Sequence, residues 1–115
     1  MKKVILASVV AVAAINANAA SVSYCAGGTA MSFSVAAGTG TEFVRSQFTG
    51  RCSANVHLVG DDNSSYYRVG SASGKGKQRF SGSTIGGGIT GTNCASTTGC
   101  AATDASSAAT TAASS

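Results

Sequence analysis

The sequence predicts an all-β domain: a small antiparallel meander of six or seven short strands that forms a sandwich or partly open barrel and is stapled by disulfides. Two observations support this prediction. Between residues 20 and 100 the large apolar side chains are mostly Val, Ile, Phe and Tyr, and Leu58 is the only leucine there. Such side chains suit a pleated, half-buried surface. Apolar and polar residues also alternate with the two-residue period of a strand, and no window keeps a helical period for three turns.

Glycine-rich segments separate the predicted strands at the places where hairpins need turns. The alternation is clearest after Cys52, where Val56 and Leu58 share one face of a strand and His57 lies on the other. The predicted strands cover residues 21–25, 30–36, 42–48, 52–59, 66–72 and 77–82, with a seventh near 88–93.

The first nineteen residues have the pattern of a cleaved export signal. Lys2 and Lys3 precede the apolar run 4–15, and small residues at the end of 16–19 favour cleavage after Ala19. A twelve-residue helix spans roughly 18 Å, well short of a membrane core of about 30 Å. We therefore expect a signal peptide at 1–19 and a mature protein in the periplasm, at the cell surface or outside the cell. Stable membrane insertion is not expected after cleavage.

The mature chain divides into a β domain at 20–100 and a tail at 101–115. The tail consists of Ala, Ser and Thr with a single Asp, and it holds no large side chain. Burial of so little apolar surface does not offset the entropy cost of ordering a backbone. The composition therefore predicts a disordered, solvated tail.

Four cysteines remain after the signal, an even number that predicts two disulfides in a small exported domain. Their spacing and the single histidine do not suit a zinc site. If the strands alternate up and down, all four cysteines lie at one end of the sheet. The pairs Cys25–Cys52 and Cys94–Cys100 are favoured because local pairs form most easily, and the other two connectivities stay open at this stage.

Little in the mature sequence indicates catalysis. Six basic and four acidic residues remain, and a net charge of +2 is too small to predict nucleic-acid binding. Alternation places His57, the only histidine, on a polar strand face as a solvated residue. Asp61 and Asp62 are adjacent in a predicted turn, where they favour turn formation over glycoside chemistry. We expect no catalytic, cofactor-binding or metal-binding residues.

Lys75, Lys77 and Arg79 form the one local cluster of charge, around a predicted hairpin. Either they protect an edge strand from aggregation, which we favour, or they form a surface that binds anions.

These observations predict a small exported non-enzymatic protein with a structural or interaction role at the cell surface or outside the cell. Self-association through sheet edges is the candidate mode of contact. The alternative is a secreted soluble binding module, an inhibitor or polyanion binder, that acts through the hairpin at 75–79.

Overall fold

The computed structural model describes residues 21–114, so the predicted signal peptide at 1–19 lies outside the described residues. Within this range the chain forms seven strands followed by one helix. The elements are β1 (Ser21–Ala26), β2 (Met31–Val35), β3 (Phe48–Cys52), β4 (Val56–Asp62), β5 (Tyr67–Ser73), β6 (Gln78–Ser83), β7 (Thr90–Asn93) and α1 (Ala102–Thr111).

The strands form two antiparallel sheets. The larger has the order β1-β4-β5-β6-β7, and the smaller is the β2–β3 hairpin. The predicted all-β, antiparallel fold of short strands is confirmed. Its connectivity is less simple than a continuous meander, because β1 pairs with β4 and the hairpin between them leaves the sheet. The larger sheet is open, with β1 and β7 at its edges.

The predicted strand at 42–48 is wrong. Residues 42–47 form an irregular loop, and β3 begins only at Phe48. The reason is a contact distant in sequence: the Asp62 carboxylate accepts hydrogen bonds from the backbone N–H groups of Phe43 (2.7 Å) and Val44 (3.1 Å). These bonds satisfy backbone donors that would otherwise favour a strand ladder.

The C-terminal segment is a helix and not the disordered tail that its composition predicts. In α1 the side chains of Asp104, Ala105, Ala108 and Ala109 are buried. The helix packs on β4, β5 and β6, where Ala105 and Ala109 join Val59 in the main core cluster. Small residues suffice here because the helix lies unusually close to the sheet.

The two faces of the larger sheet are covered differently. The helix covers one face, and the β2–β3 hairpin covers the other face only near β1, where Tyr24 and Phe33 have ring centroids 5.3 Å apart. The disulfides Cys25–Cys52 and Cys94–Cys100 are both present, so the favoured connectivity is confirmed. Cys25–Cys52 joins the hairpin to β1, and Cys94–Cys100 joins the end of β7 to the start of the helix. Among the described residues, no helix has the length and apolar character needed to span a membrane.

Candidate functional site

The three cations of the predicted hairpin do not share one surface. Lys75 and Lys77 are exposed in the turn between β5 and β6. Arg79 instead extends toward the helix face, where its Nε donates to Thr92 Oγ1 (3.1 Å) and its guanidinium lies 3.8 Å from the Asp104 carboxylate. The strand that carries Arg79 pairs on both sides, with β5 and β7. The interpretation of these residues as guards of an edge strand is therefore wrong.

His57 is not the solvated residue that strand alternation predicts. It is half-buried and shares a sheet face with Val59, which contributes to the core under the helix. Its ring lies so close to Gly27 that a Cβ there would be only 2.7 Å from the ring. The Nδ1 atom is buried and has no hydrogen-bond partner among the described residues.

The adjacent residues Asp61 and Asp62 end strand β4 instead of forming a turn, and their side chains point to opposite faces of the sheet. Asp61 is buried and forms an ion pair with Arg68. Asp62 holds the irregular loop through Phe43 and Val44.

Asp62 also brings a second carboxylate close. Glu42 lies in the loop that Asp62 holds, and both residues line a cleft between the hairpin, the loop and the sheet. Two tyrosines from β1 and β5 line the same cleft, and the hydroxyls of Tyr24 and Tyr67 are hydrogen-bonded at 2.8 Å. The sequence gives no local signal for this group, because its members lie on four separate segments.

Hydrogen bonds keep both carboxylates ionised. Backbone N–H groups, first its own and then that of Gly40, hold the pKa of Glu42 below its ordinary value. Burial raises the pKa of Asp62, but hydrogen bonds from Phe43, Ser64 and Val44 outweigh it, so the pKa is lowered overall.

One further cluster contains groups that could bind a metal ion: Cys94, Cys100 and Asp104. The two sulfur atoms are joined in a disulfide. A cysteine sulfur binds a metal ion as a thiolate, so in the oxidised protein only the Asp104 carboxylate of this cluster remains as a ligand.

The sheet face opposite the helix is apolar and open beyond the hairpin. Phe80 at its centre is 43% exposed, and Ile89, which precedes β7, is 74% exposed. Val69 adds further exposed apolar area. Phe80 lies between two shallow depressions of about 270 Å³ and about 720 Å³. Clusters of exposed apolar side chains of this kind mark interaction surfaces in many proteins.

Strand β7 borders this face and forms a free edge of the sheet. Its four residues, Thr-Gly-Thr-Asn, are all exposed and include neither a charge nor a proline. Just beyond the strand, the Cys94 N–H donates to the Lys77 carbonyl (2.9 Å). Along an antiparallel strand, every second residue directs its backbone N–H and C=O toward the same neighbouring strand. Since Cys94 bonds toward β6, Gly91 and Asn93 direct their N–H and C=O groups away from β6, to the outside of the sheet. Unprotected edges of this kind accept a further strand.

No protein-family model, curated protein or solved structure matches this chain.

Proposed function

We propose that this chain is a small exported, non-enzymatic β protein with a structural or interaction role at the cell surface or outside the cell, and that it acts by self-association through strand β7. The observation that supports this most directly is the free edge of β7, which is exposed over all four residues and carries no charge. Natural sheets commonly protect such edges with lysine, proline or a bulge. Strand β7 has neither lysine nor proline, as expected for an edge strand that pairs with a second copy of the chain.

The edge is self-complementary. Gly91 and Asn93 lie symmetrically about Thr92, so two antiparallel copies of β7 can pair around a two-fold axis at Thr92. In this arrangement Gly91 of each copy lies opposite Asn93 of the other. Each of these two pairs exchanges two N–H···O=C hydrogen bonds, which gives four in total. The two sheets join into one of ten strands, with both helices on one side and both apolar faces on the other. Isologous contacts of this type are the most common way in which proteins form homo-oligomers.

Export is supported by two features. The N-terminal sequence has the pattern of a signal peptide. The four cysteines form two disulfides, which persist mainly in oxidising compartments. Mass spectrometry of protein recovered from the periplasm or medium should show an N-terminus at or near Ala20, and an intact Met1 would contradict export with cleavage.

The alternative, a soluble module that binds anions through the hairpin at 75–79, has less support. Arg79 faces Asp104 on the helix side, which leaves Lys75 and Lys77 as the exposed cations of that hairpin.

The proposal is tested by Asn93→Pro. Proline removes an N–H that points away from β6, so the sheet of one copy stays intact, while the contact between copies loses two of its four hydrogen bonds. The control is Asn93→Ala, which keeps the N–H. Sedimentation velocity over a range of concentrations should show self-association of the parent and of Asn93→Ala, and a monomer for Asn93→Pro. A parent that stays monomeric at high concentration would contradict the proposal, and so would a Pro variant that associates like the parent.

A further inference from the structure

The cleft beneath the loop at 36–47 has the size and walls of a small-molecule site. Its volume is about 340 Å³, near the lower end of the range of roughly 300–1,000 Å³ for ligand pockets. Val22, Tyr24 and Tyr67 form its floor on the sheet, and Val35 and Val44 belong to the hairpin and loop above. Tyr67 is only 8% exposed, so this part of the floor is buried.

Among the described residues, the charged side chains that line this cleft are two carboxylates, those of Glu42 and Asp62. Their lowered pKa values mean that both carry a negative charge at neutral pH. Arg45 lies near enough to lower the pKa of Asp62, but its guanidinium donates to the Gly40 carbonyl (2.6 Å). With Arg45 counted, the local charge is −1, which complements a single positive charge.

Both carboxylates keep acceptor capacity for a ligand. The hydrogen bonds that Glu42 accepts from the Gly40 and Thr41 N–H groups both end on Oε2, so neither of them uses Oε1. On Asp62, Oδ2 accepts one hydrogen bond, from Val44, and a carboxylate oxygen can accept two.

We propose that this cleft binds a small alkylammonium ion. The ammonium group donates to Glu42 and Asp62, and the tyrosine ring of Tyr24 adds a favourable cation–π contribution. The alkyl chain packs against Val35 and Val44. A few polar groups that orient a ligand among apolar walls are typical of small-molecule sites.

A divalent metal ion fits the same cleft poorly. Calcium takes six to eight oxygen ligands, whereas the Asp62 and Glu42 carboxylates already accept at least five backbone hydrogen bonds between them. The remaining walls are largely aliphatic. An organic cation needs fewer acceptors and also uses these apolar walls.

The test is a titration of the oxidised protein with n-butylammonium, followed by NMR signals of Tyr24, Tyr67 and Val44. n-Butanol has the same alkyl chain without the charge. Glu42→Gln removes one charge but keeps a side-chain oxygen for the Gly40 and Thr41 N–H groups. The matched control, Gln78→Lys, makes the same change in net charge at an exposed site outside this cleft.

We expect saturable binding of n-butylammonium, about tenfold weaker in Glu42→Gln, as loss of one charge-assisted hydrogen bond implies. Gln78→Lys should bind within about twofold of the parent, because exposed charges outside a site are screened. Equal binding of n-butanol would overturn the proposal, since the charge would then have no role. Absence of saturable shifts would also overturn it, as would an equal loss of affinity in Gln78→Lys.

Discussion

Gly70 in β5 and Ala105 in α1 are in direct contact, with no space for a side chain between strand and helix. A Cβ atom built at Gly70 would overlap the Ala105 carbonyl oxygen and the backbone nitrogen of Ala109. The same closeness buries Ala105 and Ala109 completely. The helix is therefore held by backbone proximity and many small contacts rather than by large side chains.

Gly70→Ala should weaken this contact strongly. The added methyl group forces the helix away from the sheet, and overpacking of this kind costs about 1–3 kcal/mol. Urea unfolding should show that loss, and hydrogen exchange should show it concentrated in α1. Gly74→Ala is the control, because a Cβ there lies 3.7 Å or more from its neighbours. Equal stability of Gly70→Ala and the parent would show that the helix does not dock as described.

The sequence contains a signal for this helix, but one that is easy to miss. Ala105, Ala108, Ala109 and Ala112 repeat at helical spacing and are all buried. Alanine carries too little apolar surface to predict burial by itself, and the glycine that makes the contact possible lies far away in sequence. Six of the seven predicted strands overlap strands of the structure by more than one residue, although the prediction at 52–59 joins the end of β3, a turn and the start of β4. The remaining prediction, 42–48, shares only Phe48 with β3 because Asp62 binds the loop.

The candidate sites were less accessible to sequence analysis than the strands. A strand near 88–93 could be predicted from its pattern, but its position at an edge depends on how all the strands pair. The cleft joins Glu42, Asp62 and two tyrosines through tertiary contacts alone. The basic cluster was visible in the sequence, whereas the contact of Arg79 with Asp104 could not be inferred from local spacing.

The two disulfides should contribute unequally to stability. Cys25–Cys52 closes a loop with a sequence separation of 27, against 6 for Cys94–Cys100. Chain-entropy estimates give about 3.6 kcal/mol for the longer loop and about 2.4 kcal/mol for the shorter. Double Cys→Ser variants of each pair should lose stability in that order in urea unfolding. The parent should show no thiol available for alkylation. The reverse order would mean that packing of Cys100 beneath the helix outweighs loop length.

The loop at 36–47 should loosen in acid. The pKa of Asp62 is lowered in the folded protein, so its ionised form contributes stability that is fully present above the unfolded-state pKa of about 4. That contribution is lost as the pH falls through the lower, folded-state value. Hydrogen-exchange protection of the Phe43 and Val44 amides should therefore decrease below about pH 4, before that of β5. Asp62→Asn should show the weaker protection already at neutral pH. Protection that is independent of pH in the parent would contradict this role.

His57 should tolerate an apolar ring. Its Nδ1 is buried without a partner among the described residues, and an unpaired buried polar atom lowers stability. His57→Phe keeps a planar ring against Gly27 and removes that atom. We expect urea unfolding to show a stability equal to the parent or higher by up to about 1 kcal/mol. A loss of more than about 1 kcal/mol would indicate that the imidazole makes a favourable hydrogen bond in solution.

The basic residues at 75–79 should separate into two classes. Arg79 lies beside Asp104, which is buried and also accepts hydrogen bonds from the backbone N–H groups of Ala101 (2.8 Å) and Ala95 (3.4 Å). Arg79→Gln leaves that carboxylate without its cation at the start of the helix, so we expect a loss of about 1–2 kcal/mol in urea unfolding. Lys77→Gln is the matched control: Lys77 is exposed in the turn, and such surface changes usually stay within about 0.5 kcal/mol. If the two variants unfold alike, the ion pair with Asp104 contributes nothing measurable, and Arg79 would then be free to serve the same surface as Lys75 and Lys77.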